Sequence, residues 1–133
     1  MTMTAARKSG PAGMITCMAP DVCKTPVGSA VVPIPYMITS MLDWAVRTEP
    51  TVKLTELEAF TMNSRTDKVV GDEPGTLGGV KSGVNKGWCR PISQHFNVQV
   101  GGYELIQNNN LYDMNCAGPE GPGNTIGRLV YYE

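Results

Sequence analysis

One glycine-rich stretch of the sequence gathers residue types that could bind a ligand. It runs from Gly71 to Gly83, reads GDEPGTLGGVKSG, and is followed by VNKG. A phosphate-binding loop of the Walker type needs lysine directly after its last glycine, so that the ammonium group reaches the phosphates. Here Val80 separates Gly79 from Lys81, and the residues that follow do not favour a helix. We therefore predict a tightly packed turn and no nucleotide site.

In this interpretation the glycines permit sharp turns and close backbone contacts. The neighbouring carboxylates Asp72 and Glu73 point to opposite faces of an extended chain. We expect them to accept hydrogen bonds from loop N–H groups and not to act as an acid–base pair. The residues assigned to this structural loop are Gly71, Asp72, Glu73, Gly75, Gly78, Gly79, Ser82 and Gly83.

The single histidine, His95, offers two further kinds of chemistry. Cys89 lies six residues before it and could form a nucleophilic pair with it, but nothing in the sequence orients that pair. No catalytic residue is assigned, and a small Cys/His hydrolase remains a remote alternative. His95 and Cys116, joined by Cys17, Cys23 or Cys89, are also ligand types that zinc accepts. The other interpretation is a surface imidazole with buried thiols.

Composition excludes several classes of function. The 133 residues carry a net charge of −1, with no block of one sign, whereas nucleic-acid and membrane-surface proteins show basic clusters. No apolar run approaches the roughly 20 residues of a membrane anchor. The N-terminus lacks the apolar region of a cleaved signal peptide. We expect a protein that stays in the cytosol or is exported without a cleaved signal.

The chain is predicted to form one all-β domain over 15–133, preceded by a flexible arm over 1–14. Four prolines between Ile15 and Tyr36 favour extended chain at a sheet edge. The segment from Ile38 to Val46 is the one candidate for a helix, with Ser40 as its cap.

Two segments share a hairpin pattern. Residues 51–60 and 97–106 each alternate apolar and polar side chains on either side of a turn, and they superpose at one fixed offset. This repetition predicts internal pseudo-symmetry. A last strand is predicted from Ile126 to Tyr132, docked against the body of the domain.

Taken together, the motifs resemble the PAAR-like domain, a relative of the PAAR proteins of type VI secretion systems. The resemblance runs from about Ile15 to Cys116. It rests on PDVCKTP (20–26), VPIPY (32–36), the glycine-rich loop (71–83) and VQVGG (98–102).

This resemblance implies a small cone of short β-hairpins about a pseudo-threefold axis. The partner that it implies is a trimeric VgrG-type spike, capped by the cone and sharpened for membrane puncture, with effectors loaded alongside. A toxin effector or its chaperone is a further implied partner, and an adaptor that docks a secreted toxin is the alternative function. The protein would stay in the bacterial cytoplasm until the apparatus injects it. The residues that we expect at the spike contact are Val31, Val32, Ile34 and Tyr36.

The resemblance also implies a zinc ion at the apex, which PAAR tips commonly hold with three histidines and one cysteine. This chain has one histidine, so that ligand set cannot form. His95 and Cys116 remain as candidate ligands, the alternative being an apex without metal.

Overall fold

The fold consists of short antiparallel strands, which confirms the predicted all-β class. The computed structural model describes residues 5–8, 13–54, 57–92 and 98–131. None of the helical segments in these ranges is long and apolar enough to cross a membrane. The strands are β1 (Gly13–Cys17), β2 (Asp21–Val27), β3 (Ala30–Tyr36), β4 (Thr39–Met41), β5 (Ala45–Val46), β6 (Glu49–Leu54), β7 (Leu57–Ala59), β8 (Arg65–Thr66), β9 (Trp88–Pro91), β10 (Gln99–Val100), β11 (Tyr103–Glu104), β12 (Leu111–Cys116) and β13 (Thr125–Tyr131).

A seven-stranded sheet in the order β4-β1-β13-β12-β9-β8-β5 forms the body of the domain. The predicted last strand is confirmed, since β13 lies between β1 and β12 and pairs with both. Alternate residues of these strands point inward, as the period of two in a strand requires. The buried core comprises Ala6, Ile15, Ile38, Leu42, Ala45, Phe60, Val69, Cys89, Ile106, Tyr112, Met114 and Leu129.

The helix predicted from Ile38 to Val46 does not form. In its place are β4, a single 3₁₀ turn (Leu42–Trp44) and β5. Ser40, the expected cap, directs its hydroxyl to the Thr66 hydroxyl at 2.7 Å and the Lys68 carbonyl at 2.6 Å. Pairing with neighbouring chain segments therefore outweighs a helix too short to be stable alone.

The proline-rich segment is extended, as predicted, but it is a paired hairpin of β2 and β3. Lys24 donates its N–H to the Gly78 carbonyl at 2.8 Å, so its backbone polar groups face away from β3. Opposite residues of an antiparallel pair either bond each other or both turn their backbone groups outward. The backbone nitrogens of Pro33, opposite Lys24, and of Pro35, opposite Val22, therefore point away from β2. These prolines lose no hydrogen bond, and they block the free edge of β3 to further strand pairing.

The two predicted hairpins form with matching registers. Leu54 pairs with Leu57 in β6–β7, and Val100 pairs with Tyr103 at the equivalent positions of β10–β11. The turn of the first hairpin, residues 55–56, lies outside the described residues. The sequence repetition therefore reflects a structural repetition.

The two repeats and the N-terminal segment meet in a closed ring of backbone hydrogen bonds. Ile106 donates its N–H to the Phe60 carbonyl at 3.1 Å, Phe60 donates to Ala6 at 3.0 Å, and Ala6 donates to Ile106 at 2.7 Å. All three residues are fully buried. Phe60 and Ile106 are equivalent positions of the repeat, so Ala6 supplies the third. Residues 5–8 of the segment predicted as a flexible arm thus form part of the fold.

Candidate functional site

The glycine-rich loop lies along the edge of β2 that β3 leaves free. Besides the bond from Lys24 to Gly78, the N–H of Leu77 donates to the Lys24 carbonyl at 3.1 Å. The N–H of Val80 donates to the Val22 carbonyl at 3.0 Å. The loop thereby acts as a third strand beside the hairpin, and both are held as one layer.

A cluster of buried polar side chains lies beneath this layer. Asp21, Cys23, Asp72 and Asn115 are fully buried, and Asn124 is 6% exposed. Asp21 and Cys23 share the inward face of β2 because they are two residues apart in a strand. Asp72 comes from the loop, Asn115 from β12, and Asn124 from the turn before β13.

Two asparagine side chains hold Asp21 in place. Asn115 donates through Nδ2 to both carboxylate oxygens of Asp21, at 3.2 and 3.3 Å. Asn124 also donates through Nδ2 to Asp21, while its Oδ1 accepts the N–H groups of Lys81 and Ser82 at 2.8 and 3.2 Å. Asn124 therefore connects β2 to the glycine-rich loop with bonds at both ends of its amide.

The electrostatics of this cluster disfavour negative charge. Burial, together with the neighbouring Asp21 carboxyl, raises the pKa of Asp72 well above its ordinary range. Burial, with the charge of Asp21, also raises the pKa of Cys23 to about 12. The Cys23 Sγ lies 3.4 Å from Asp21 Oδ2. Asp72 Oδ2 accepts the Lys86 N–H at 3.3 Å, whereas Asp72 Oδ1 is buried with no hydrogen-bond partner.

Two glycines of the loop leave no room for a side chain. Gly78 has a φ of +92°, and a Cβ there would meet the Gly83 carbonyl oxygen at 2.5 Å. A Cβ on Gly79 would overlap the carboxamide of Asn124. Glycine here allows close approach to a backbone carbonyl at Gly78 and to the Asn124 side chain at Gly79, which matters more than loop flexibility.

The remaining predicted loop residues support the turn. Glu73 is exposed and accepts the Gly71 N–H with both carboxylate oxygens at 3.1 Å. The Gly75 N–H donates to the Asp72 carbonyl at 2.9 Å. Buried Ser82 accepts the Val84 N–H at 3.4 Å.

The hairpin and the loop expose several apolar side chains, which we call the hairpin surface. Its members are Val27, Val31, Val32, Leu77 and Val80, which are between 37% and 56% exposed. Val31 and Val32, which are neighbours in β3, lie on opposite faces of the hairpin near its tip. Of the four residues predicted at a spike contact, Val31 and Val32 belong to this surface. Ile34 and Tyr36 are half-buried. Tyr36 packs against the core, and its hydroxyl lies 2.7 Å from that of Thr25.

The metal ligand pair predicted from the sequence, His95 with Cys116, stays a prediction, because one of its two members is not among the described residues. His95 lies outside those residues, and with it the pairs that it would form with Cys89 and Cys116. Cys116 is fully buried, and burial raises its pKa to about 12. The ligand set of three histidines and one cysteine does not fit a chain with one histidine.

Sequence reasoning missed the contributions of Asp21, Asn115 and Asn124 to this site. One local pattern does indicate part of this site. Asp21 and Cys23 are two residues apart in a segment predicted to be extended, which puts a carboxylate and a thiol on one face. Nothing local indicates that Asn115 and Asn124 lie against them.

Fold and site together define a small all-β domain organised about a glycine-rich loop packed on a buried polar cluster. A family model described as "Toxin PAAR-like domain" matches residues 14–121. That range covers most of the chain, so the chain belongs to the toxin PAAR-like domain family. Neither a curated protein nor a solved structure matches it significantly.

Proposed function

We propose that this protein caps a trimeric VgrG-type spike of a contractile type VI secretion apparatus, sharpens it for membrane puncture and helps to load effectors. Membership of the toxin PAAR-like family supports a role of this kind. The proposal rests above all on one structural observation, the closed ring at Ala6, Phe60 and Ile106.

The ring joins three chain segments head to tail, each donating one backbone hydrogen bond and accepting one. Such an arrangement has approximate threefold symmetry although one chain supplies all three segments. A single chain that contacts a trimer needs three similar faces, because each subunit of the trimer presents the same surface. The pseudo-threefold ring suits that requirement.

The hairpin surface is our candidate for the spike contact. Exposed apolar side chains commonly mark protein interfaces, and Val31 and Val32 expose such side chains on both faces of the hairpin near its tip. Because Pro33 and Pro35 block the edge of β3, a partner strand gains no regular backbone pairing there. We therefore propose that the spike contacts Val31 and Val32 through side-chain packing.

The loading of a toxin is the second candidate, favoured by the toxin description of the family. A hydrolase is less well supported. Burial raises the pKa values of Cys23 and Cys116 to about 12 and that of Cys89 to about 11. A nucleophilic cysteine requires the opposite shift, because the thiolate is the reactive form.

Binding to a purified VgrG-type trimer tests the proposal. We expect one chain per trimer by size-exclusion chromatography with light scattering. Val31→Asp should weaken binding at least about tenfold, since a charge is buried in an apolar contact. Val98→Asp is the matched control, an exposed valine of another segment, and should bind as the unaltered chain does.

Equal binding of both variants would remove the hairpin surface from the proposal. Absence of binding to any spike, together with a stable complex with a toxin, would replace capping by the adaptor role.

A further inference from the structure

Three potential metal ligands converge in the buried cluster beneath the glycine-rich loop. One ligand atom each from Asp21, Cys23 and Asp72 lies within 4.8 Å of the other two. All three side chains are fully buried. Two come from one face of β2 and the third from the loop, so an ion held by them would join the hairpin to the loop.

The spacing of these atoms is close to that of a tetrahedral zinc site. Zinc bonds of about 2.3 Å to sulfur and about 2.0 Å to oxygen place the two ligand atoms about 3.5 Å apart. Cys23 Sγ lies 3.4 Å from Asp21 Oδ2 and 4.0 Å from Asp72 Oδ2. Small side-chain adjustments would therefore complete the geometry.

A second observation favours a cation at this position. Asp72 Oδ1 is buried without a hydrogen-bond partner, and a carboxylate oxygen of Asp72 lies within 4.8 Å of one of Asp21. In the described part of the chain, neither carboxylate forms an ion pair with lysine or arginine. Two buried carboxylates side by side need a cation or a shared proton, since their charges otherwise repel in a medium of low polarity.

We propose that Asp21, Cys23 and Asp72 bind one zinc ion, or a divalent cation of similar preference, which fastens the β2–β3 hairpin to the glycine-rich loop. A thiolate ligand favours zinc over magnesium or calcium. The amides of Asn115 and Asn124 orient Asp21 as outer partners of a metal ligand do. On binding, the Cys23 thiol releases its proton to solvent. A second carboxylate oxygen of Asp72, or water, fills the fourth position.

This site differs from the pair His95 and Cys116 considered in the sequence, and it does not depend on the spike-tip role. The test uses the full chain, treated with chelator, loaded with Zn²⁺ and desalted. We expect about one zinc per chain, as for a structural site. Cys23→Ser and Asp72→Asn should bind zinc at least about tenfold more weakly.

Cys17→Ser and Cys116→Ser are the matched controls and should retain the metal. Loading with Co²⁺ adds a direct readout, a near-ultraviolet band from sulfur bound to cobalt, which Cys23→Ser should abolish. Asp72→Asn conserves shape and keeps the test valid if Cys23→Ser fails to fold.

A chain that takes up no zinc would overturn the proposal in favour of a proton shared by Asp21 and Asp72. Retention of zinc by both ligand variants, or its loss in Cys116→Ser alone, would overturn it in favour of a site elsewhere. Binding to the spike trimer is measured on the same samples, so that loss of zinc binding and loss of spike binding are scored separately.

Discussion

Gly78 shows at the scale of one residue why the loop needs glycine. Gly78 has a φ of +92° and Gly83 a φ of +76°, so both backbones are left-handed, but the space around the two residues differs. A Cβ on Gly78 would lie 2.5 Å from the Gly83 carbonyl oxygen and 2.9 Å from the Val84 nitrogen, whereas a Cβ on Gly83 has no neighbour within 4 Å. A side chain at Gly83 would therefore add backbone strain only, whereas a side chain at Gly78 would add backbone strain and a steric clash.

We predict that Gly78→Ala lowers the free energy of unfolding by about 2 kcal/mol more than Gly83→Ala does. Both variants incur the left-handed strain, of about 1–2 kcal/mol, but only Gly78→Ala forces two backbone segments apart. Urea unfolding of both variants measures the difference. Equal losses of unfolding free energy would mean that the positive φ alone requires glycine and that the close neighbours of Gly78 do not matter.

At the scale of elements, Asn124 joins the hairpin and the loop. It bonds Asp21 and the Val22 carbonyl on one side, and the N–H groups of Lys81 and Ser82 on the other. Asn124→Ala removes the acceptor of the Lys81 and Ser82 N–H groups and one of the donors to Asp21. Each buried group that is left unsatisfied costs about 1–3 kcal/mol. We predict a loss of about 3 kcal/mol in unfolding free energy.

Hydrogen exchange gives the readout specific to this connection. The amides of Lys81 and Ser82 should exchange much faster in Asn124→Ala, while those of β13 change only with global stability. Asn63→Ala, in the turn after the first hairpin, serves as the control. Unchanged exchange at Lys81 and Ser82 would show that Asn124 does not hold the loop.

Arg65 connects β8 to the turn between β12 and β13. It is 6% exposed and donates to the carbonyls of Pro119 at 2.7 Å, Met62 at 2.9 Å and Ser64 at 3.0 Å. Its ion pair with Glu120 adds little, because that carboxylate is mostly exposed. The bonds to these buried and half-buried carbonyl groups are the main contribution.

We predict that Arg65→Met lowers the unfolding free energy by about 3 kcal/mol, because several carbonyls lose their donor at once. Arg47→Met is the control, since it removes an exposed pair with the same Glu120 and should cost less than about 1 kcal/mol. Thermal unfolding compares the two. A similar loss in both would assign the effect to Glu120 instead.

At the scale of the whole molecule, the ring of backbone bonds closes the fold across distant parts of the chain. Ala6, Phe60 and Ile106 pack there within the main core, and Ala59, Val100 and Leu105 form a smaller core beside them. The N-terminal segment thereby completes an arrangement for which the two hairpins supply only two members.

We predict that Ala6→Leu destabilises the protein by about 1–3 kcal/mol, because the added methyl groups enter a closely packed site. Lys8→Leu, an exposed residue of the same segment, should change stability by less than about 0.5 kcal/mol. Denaturant unfolding distinguishes them. A neutral Ala6→Leu would show that the N-terminal segment is not held in the core.

The all-β class, both hairpins with their shared register, and the last strand follow from the sequence alone. These features depend on local alternation of side chains and on turn residues, which act over a few positions. The proline-rich segment was likewise predicted to be extended from the fixed φ of proline.

Long-range packing sets the polar cluster, the ring and the hydrogen-bond partners of Ser40. Asp21 meets Asn124 across 103 positions of chain, and Ser40 meets Thr66 across 26. Such partners are selected by how strands and loops pack, because a buried polar group bonds whichever neighbour the packing brings to it. No local pattern in the sequence encodes that choice.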